Sequence, residues 1–106
     1  MSNATRLAHN EALFRSINER IDAGAWPAER SKETSFLCEC AALGCNLVLE
    51  VSLADYESVR ADSHQFLVAP GHELPEIEQV VRRTPGYVVV RKVGEAGEVA
   101  DATDPR

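Results

Sequence analysis

The first part of the chain has the apolar spacing of an amphipathic helix. Over residues 6–23, apolar residues recur at helical spacing and charged residues lie between them. The apolar positions are Leu7, Leu13, Phe14, Ile17 and Ile21. This spacing predicts a helix from about residue 6 to residue 23, with Gly24 as a suitable stop. We expect its apolar stripe to cover a sheet, and the alternative is a surface that binds another protein or a second copy of the chain.

The pattern then changes to short segments that are typical of strands and turns. A polar linker comes first, and we expect its Trp26 to pack against the domain. Two strands, a short helix and a third strand follow. The predicted bounds are 24–33 for the linker, 34–40 and 47–51 for the two strands, 53–60 for the helix and 66–69 for the third strand. The first two strands should form an antiparallel hairpin.

The last part of the chain is expected to complete the sheet. Residues 74–83 fit a helix that begins near Pro75, but we favour a strand from about Glu78. The reason is the turn signal Thr84-Pro85-Gly86, because the β-branched run 87–93 that follows it needs an antiparallel neighbour. One or two helical turns are expected over residues 95–103.

Together these elements predict an α+β fold, in which the N-terminal helix and a short second helix cover a small antiparallel sheet. We expect one domain over residues 1–106, because this length is ordinary for a single domain. Its predicted parts are the helix at about 6–23, the linker at 24–33, a sheet-rich core at 34–93 and a short C-terminal helix or tail at 94–106.

Composition and charge narrow the classes of function. Apolar residues make up 44% of the chain and charged residues 26%, which is typical of a soluble globular protein rather than a disordered one. The formal net charge of -6 opposes binding to nucleic acid and to anionic membranes. The apolar runs are too short to span a bilayer, and the N-terminus lacks the apolar core of a signal peptide. We therefore expect a cytoplasmic protein without nucleic-acid or membrane partners.

All three cysteines lie within eight consecutive positions, at Cys38, Cys40 and Cys45. An odd number excludes a closed disulfide framework, and in a reducing compartment a tight cluster is typical of metal binding or redox chemistry. If residues 36–40 are extended, Cys38 and Cys40 face the same side, and a turn at Gly44 can bring Cys45 back to them. Tetrahedral zinc needs sulfur atoms about 3.8 Å apart, which such a turn permits.

His72 is the best candidate for the fourth ligand, because Pro70-Gly71 places it in a loop. Glu73 or a backbone carbonyl is expected to orient its ring from outside the ligand shell. Four protein ligands close the shell of a tetrahedral ion, so the sequence predicts a structural Zn²⁺ site. The predicted ligands are Cys38, Cys40, Cys45 and His72. Their C-x-C-x4-C spacing departs in part from the usual zinc pattern.

Three other interpretations of the cluster remain open. The cysteines can serve a thiol redox function, or they can be inert core residues. They can also hold a catalytic zinc or supply a nucleophile, with His72 or Glu73 as the base. The two remaining histidines, His9 and His64, are expected to face solvent rather than bind a metal.

A basic group near the end of the predicted sheet is the second chemical feature. Its members are Arg82, Arg83, Arg91 and Lys92. Because Glu76 and Glu78 lie nearby, we expect a solvated face of the sheet. The alternative is a site for phosphate or an acidic partner, as in a nucleic-acid accessory protein.

Five segments of the chain stand out together, namely Phe36-Leu37-Cys38-Glu39-Cys40, Gly44-Cys45, Tyr56-Glu57-x-Val59-Arg60, Phe66-Leu67-Val68-x-Pro70-Gly71-His72-Glu73 and Thr103-Asp104-Pro105-Arg106. Together they resemble a group of small, functionally uncharacterised bacterial proteins. The resemblance covers nearly the whole chain and implies that the cysteine and histidine motifs belong to one site, but it implies no activity. The resulting hypothesis is a zinc-binding module that acts in protein binding or regulation rather than in catalysis.

Overall fold

The computed structural model describes residues 3–24, 32–40, 42 and 45–106. Their elements are α1 (Asn3–Ala23), β1 (Glu33–Leu37), β2 (Val48–Ser52), α2 (Leu53–Arg60), β3 (Gln65–Val68), β4 (Glu78–Arg83), β5 (Val88–Lys92) and α3 (Gly94–Ala102). The predicted α+β class is confirmed, and the segment that also fitted a helix forms strand β4. None of the helices in the described ranges is both long and apolar enough to span a bilayer. Most of the predicted linker, with Trp26, and the turn at Gly44 lie outside the described residues.

The strands form two antiparallel sheets. Strands β1 and β2 make the predicted hairpin, and the second sheet has the order β3-β5-β4. The ladder of β1 ends at Leu37, three residues before the predicted end of the strand. After Leu37, the Cys38 backbone N–H still donates to the Leu47 oxygen at 2.9 Å, and the Glu39 N–H donates to the Leu67 oxygen at 2.7 Å. The cysteine segment therefore connects the hairpin to the second sheet.

Helix α2 begins directly after β2 because Ser52 caps it. The Ser52 Oγ accepts a hydrogen bond from the Asp55 backbone N–H at 3.1 Å, which satisfies a free donor of the first turn. On the buried face of α2, the Tyr56 ring stacks on Phe36 with the centroids 4.3 Å apart. This contact holds α2 against β1 two residues before Cys38.

Helix α1 packs on the strands as expected, but it uses a different face. Leu13 is 61% exposed and Ile17 is 38% exposed, whereas Glu11, Arg15 and Asn18 are buried. These three polar positions are four and three residues apart, so they share one side of the helix. The prediction that the apolar stripe covers the sheet is therefore wrong for Leu13 and Ile17.

The buried polar side chains of α1 are tolerated because they have partners. The Arg15 guanidinium donates to the backbone oxygens of Ser63 and Ala100 and lies 4.4 Å from the centre of the Phe66 ring. Such contacts replace the water that a buried charge loses.

Lys92 also departs from the expected solvated face. Arg82 and Arg83 are exposed, but the Lys92 side chain is fully buried. Its ammonium group donates to the carboxylates of Glu11 on α1 and Glu78 on β4. The physical reason is that β5 is the central strand of its sheet, so a side chain on its covered face must be paired. This triad ties α1 to the three-stranded sheet.

Candidate metal centre

The structure brings the four predicted ligand residues together. The ligand atoms of Cys38, Cys40, Cys45 and His72 all lie within 4.8 Å of one another. The His72 Nδ1 is 3.6 Å from the Cys45 sulfur and 3.7 Å from the Cys38 sulfur. In a tetrahedral zinc site, Zn–S and Zn–N bonds of ordinary length separate a sulfur from a nitrogen by about 3.6 Å. The spacing of these atoms therefore fits a tetrahedral ion without a large rearrangement.

Backbone hydrogen bonds help to place the two later candidate ligands, Cys45 and His72. The Cys45 N–H donates to the Ala42 oxygen at 3.1 Å, and the His72 N–H donates to the Ala69 oxygen at 3.0 Å. The turn before His72 needs Gly71, because its φ of 87° is costly for any residue with a Cβ atom. Strand β3 thus ends in a turn that directs the imidazole at the cysteines.

Backbone N–H groups surround the sulfur atoms. The Ala69 N–H donates to the Cys38 sulfur at 3.1 Å. The N–H groups of Cys40 and Ala42 donate to the sulfurs of Cys38 and Cys40, respectively. Hydrogen bonds of this kind favour the negatively charged thiolate, which is the form that binds a metal.

The two most buried thiols do not have the properties of reactive cysteines. Cys38 is 1% exposed and Cys40 is 2% exposed. Burial raises the pKa of the Cys38 thiol to about 12 and also raises the pKa of Cys40. A redox or nucleophilic thiol needs a lowered pKa and access to solvent. Cys38 and Cys40 are therefore poor candidates for thiol catalysis, and a metal that binds them has to displace their protons.

The Glu73 carboxylate hydrogen-bonds to groups other than the His72 imidazole that it was expected to orient. Its Oε1 accepts from the Gly71 N–H at 2.7 Å, and its Oε2 accepts from the Arg83 guanidinium at 2.6 Å. Hydrogen bonds from its own backbone and from Arg83 lower the pKa of the Glu73 carboxyl group. A general base in hydrolysis works best with a pKa near neutrality. Glu73 therefore stabilises the loop that carries His72 and is a poor candidate for a base.

A small cavity adjoins the cluster. It has a volume of about 250 Å³, below the usual range for pockets that hold drug-sized ligands. Its lining residues are Cys40, Ala42, Gly71, His72, Glu73 and Leu74. Two of the four potential ligands, Cys40 and His72, line the cavity. Its volume admits only a small molecule beside the site.

Glu39 was not singled out from the sequence, although it lies between two of the potential ligands. Its Oε2 accepts from the Asn18 amide and the Tyr56 hydroxyl, each at 2.8 Å. Its Oε1 accepts from the Leu67 N–H at 2.8 Å. The sequence did contain a signal for this role. In the strand predicted over residues 34–40, successive side chains alternate between faces, so residue 39 points away from the side that Cys38 and Cys40 share.

Of the other two histidines, His64 lies outside the group of four. The side chain of His9 is not among the described parts of the chain. His64 is half-buried rather than solvent-facing, and its ring lies close to the position that a Cβ atom on Gly97 of α3 would occupy. His64 therefore serves as a natural control for His72.

Comparisons with protein-family models, with curated proteins and with solved structures found no match to this chain. The role of the four residues therefore has to be argued from their own geometry and chemistry. The resemblance to small bacterial proteins stays a prediction.

Proposed function

We propose that this protein is a small zinc-binding module in which Cys38, Cys40, Cys45 and His72 hold one Zn²⁺. The observation that carries the proposal is the spacing of the ligand atoms, with the His72 Nδ1 3.6 and 3.7 Å from two sulfurs. Thiolates combined with an imidazole in tetrahedral geometry are typical ligands of zinc. The backbone N–H groups around the sulfurs support the same conclusion.

The role proposed for the ion is structural. Four protein ligands fill a tetrahedral shell, whereas catalytic zinc keeps one position for water or substrate. The ion would join the segment after β1 to the turn after β3. In a chain of 106 residues, such a link adds to a core of limited size.

We further propose that the module acts by binding another protein, in a regulatory role, rather than by catalysis. Leu13 and Ile17 lie one turn apart on the outer side of α1 and are exposed, which suits contact with an apolar protein surface. The net charge of -6 disfavours nucleic acid as the partner. The three free thiols are compatible with the reducing cytoplasm.

An enzyme that uses the same cluster is the second candidate. The cavity of about 250 Å³ beside Cys40 and His72 favours it, because a small substrate could approach there. This candidate requires an open metal position, and water would occupy that position in the resting protein.

Cobalt substitution tests the ligand set. Co²⁺ in place of Zn²⁺ should give the absorption spectrum of a four-coordinate site with three sulfur ligands and without exchangeable water. His72→Ala should change this spectrum and weaken metal retention, whereas His64→Ala should leave both unchanged. If the two variants behave alike, the assignment of His72 is wrong. An exchangeable water on the wild-type metal would favour the enzyme over the structural module.

A further inference from the structure

The Asn18 side chain attaches helix α1 to the segment that carries Cys38. The Asn18 amide donates to the Leu37 oxygen and to Glu39, and its Oδ1 accepts from the Leu37 N–H, each at 2.8 Å. Leu37 and Glu39 are the direct neighbours of Cys38 in the chain. Any movement of the Cys38 backbone therefore acts directly on the hydrogen bonds of Asn18.

The direction of the Glu39 side chain depends on its two neighbours. The Glu39 carboxylate faces Asn18 of α1, whereas the sulfurs of its neighbours Cys38 and Cys40 face the candidate metal centre. Residues 38–40 lie beyond the ladder of β1. Bonds from a metal to both sulfurs would thus fix the backbone that holds Glu39 in place.

The docking of α1 depends in part on such polar contacts, because two of its large apolar residues do not face the core, although Ile21 packs against it. Leu13 and Ile17 face solvent, and the buried side of the helix carries Glu11, Arg15 and Asn18. A buried polar group that loses its hydrogen-bond partner destabilises the folded state. Weakening the contact at Asn18 therefore reduces how firmly α1 is held.

We propose that occupancy of the metal site controls the docking of α1, with Asn18 and Glu39 as the connection. This inference rests on the proposed function, since it requires that the four residues bind Zn²⁺. The metal makes α1 resist local opening, and the loss of the metal loosens it while the β3-β5-β4 sheet stays folded. Because coupling is reciprocal, the docked helix also raises the affinity for zinc by the same factor. The state of the metal is thereby transmitted to the helix that presents Leu13 and Ile17.

Hydrogen exchange of the wild-type protein tests the coupling. Backbone amides of residues 11–20 should exchange about tenfold more slowly in zinc-loaded protein than after chelation, a typical size for coupling between two sites. The amides of β5 (Val88–Lys92) serve as the internal control and should be protected in both states. The metal content of each sample is measured alongside.

A matched pair of variants tests the reciprocal effect. Asn18→Ala removes the connection, so its zinc affinity, measured by competition with a chelator, should fall about tenfold. Arg20→Ala changes an exposed residue of the same helix and should leave the affinity unchanged. If Asn18→Ala does not fold, the wild-type exchange experiment decides alone.

The outcomes separate the two proposals. Stoichiometric zinc with identical exchange of α1 in both states would overturn the coupling and leave the metal site intact. Failure to bind zinc would overturn both. Loss of protection in β5 as well as α1 after chelation would mean global unfolding, which contradicts control of α1 in particular. Wild-type affinity in Asn18→Ala would also overturn the coupling.

Discussion

Glu11 should make the stability of the protein depend on pH near neutrality. Its carboxyl group is 1% exposed, and burial raises its pKa from 4.5 to about 7. The Lys92 ammonium group favours the ionised form of Glu11, but it also donates a hydrogen bond to Glu78. Glu39 raises the pKa further, and Arg15 lowers it. A proton on Glu11 leaves one positive and one negative charge in the triad, which a buried site favours.

The sign and size of the effect follow from proton linkage. The folded state keeps a proton on Glu11 up to about pH 7, whereas the unfolded chain releases it near pH 4.5. Between these values the folded state binds more protons, so the free energy of unfolding falls as pH rises. The stabilisation is fully present below pH 4.5 and is lost as pH rises through 7. The slope is at most about 1.4 kcal/mol per pH unit, and the sum over the window is about 3 kcal/mol.

Urea unfolding of wild-type protein and Glu11→Gln tests this effect. Glutamine has nearly the same shape and cannot ionise, so the variant should lose less stability than the wild type between about pH 5 and pH 7. Glu76→Gln changes an exposed carboxyl group and is the control, expected to follow the wild type. If the free energies of unfolding of wild type and Glu11→Gln change in parallel with pH across this range, the raised pKa of the buried Glu11 is refuted.

Three further predictions concern the metal, the loop and the surface charge. Removal of bound metal by a chelator should lower the melting temperature by about 5 °C or more, which corresponds to about 1 kcal/mol; no change after verified removal would mean that the ion does not support the fold. Gly71→Ala should destabilise by about 1–2 kcal/mol in urea unfolding, because its φ is 87° although space is open. Gly86→Ala, also in open space but without a positive φ, is the control, and equal losses would contradict the strain argument. Random duplex DNA should bind weakly at physiological salt in a filter or polarisation assay, because the net charge is -6. A submicromolar affinity would contradict the expectation that nucleic acid is not a partner.

The periodicity of α1 predicted the helix but not the side that faces the core. The inward residues Arg15 and Glu11 are buried because Ala100 and Lys92 supply their partners. These partners are more than eighty positions away in the chain. A local pattern of apolar residues contains no information about such partners, so it assigned Leu13 and Ile17 to the wrong side.

The grouping of the four residues of the candidate metal centre was predictable because their signals are local. Closely spaced thiols and a glycine turn before His72 are visible in short segments. The role of Glu39 was missed for the opposite reason. Its partners Asn18, Tyr56 and Leu67 are 21, 17 and 28 positions away, and only the folded chain brings them together.

Metal analysis of reduced protein, purified without added metal, tests the central claim most directly. Elemental analysis and native mass spectrometry should find about one zinc per chain, held by the thiols of Cys38, Cys40 and Cys45 together with His72. If the purified protein contains almost no metal and does not take up one equivalent of added Zn²⁺, the zinc-binding module is contradicted.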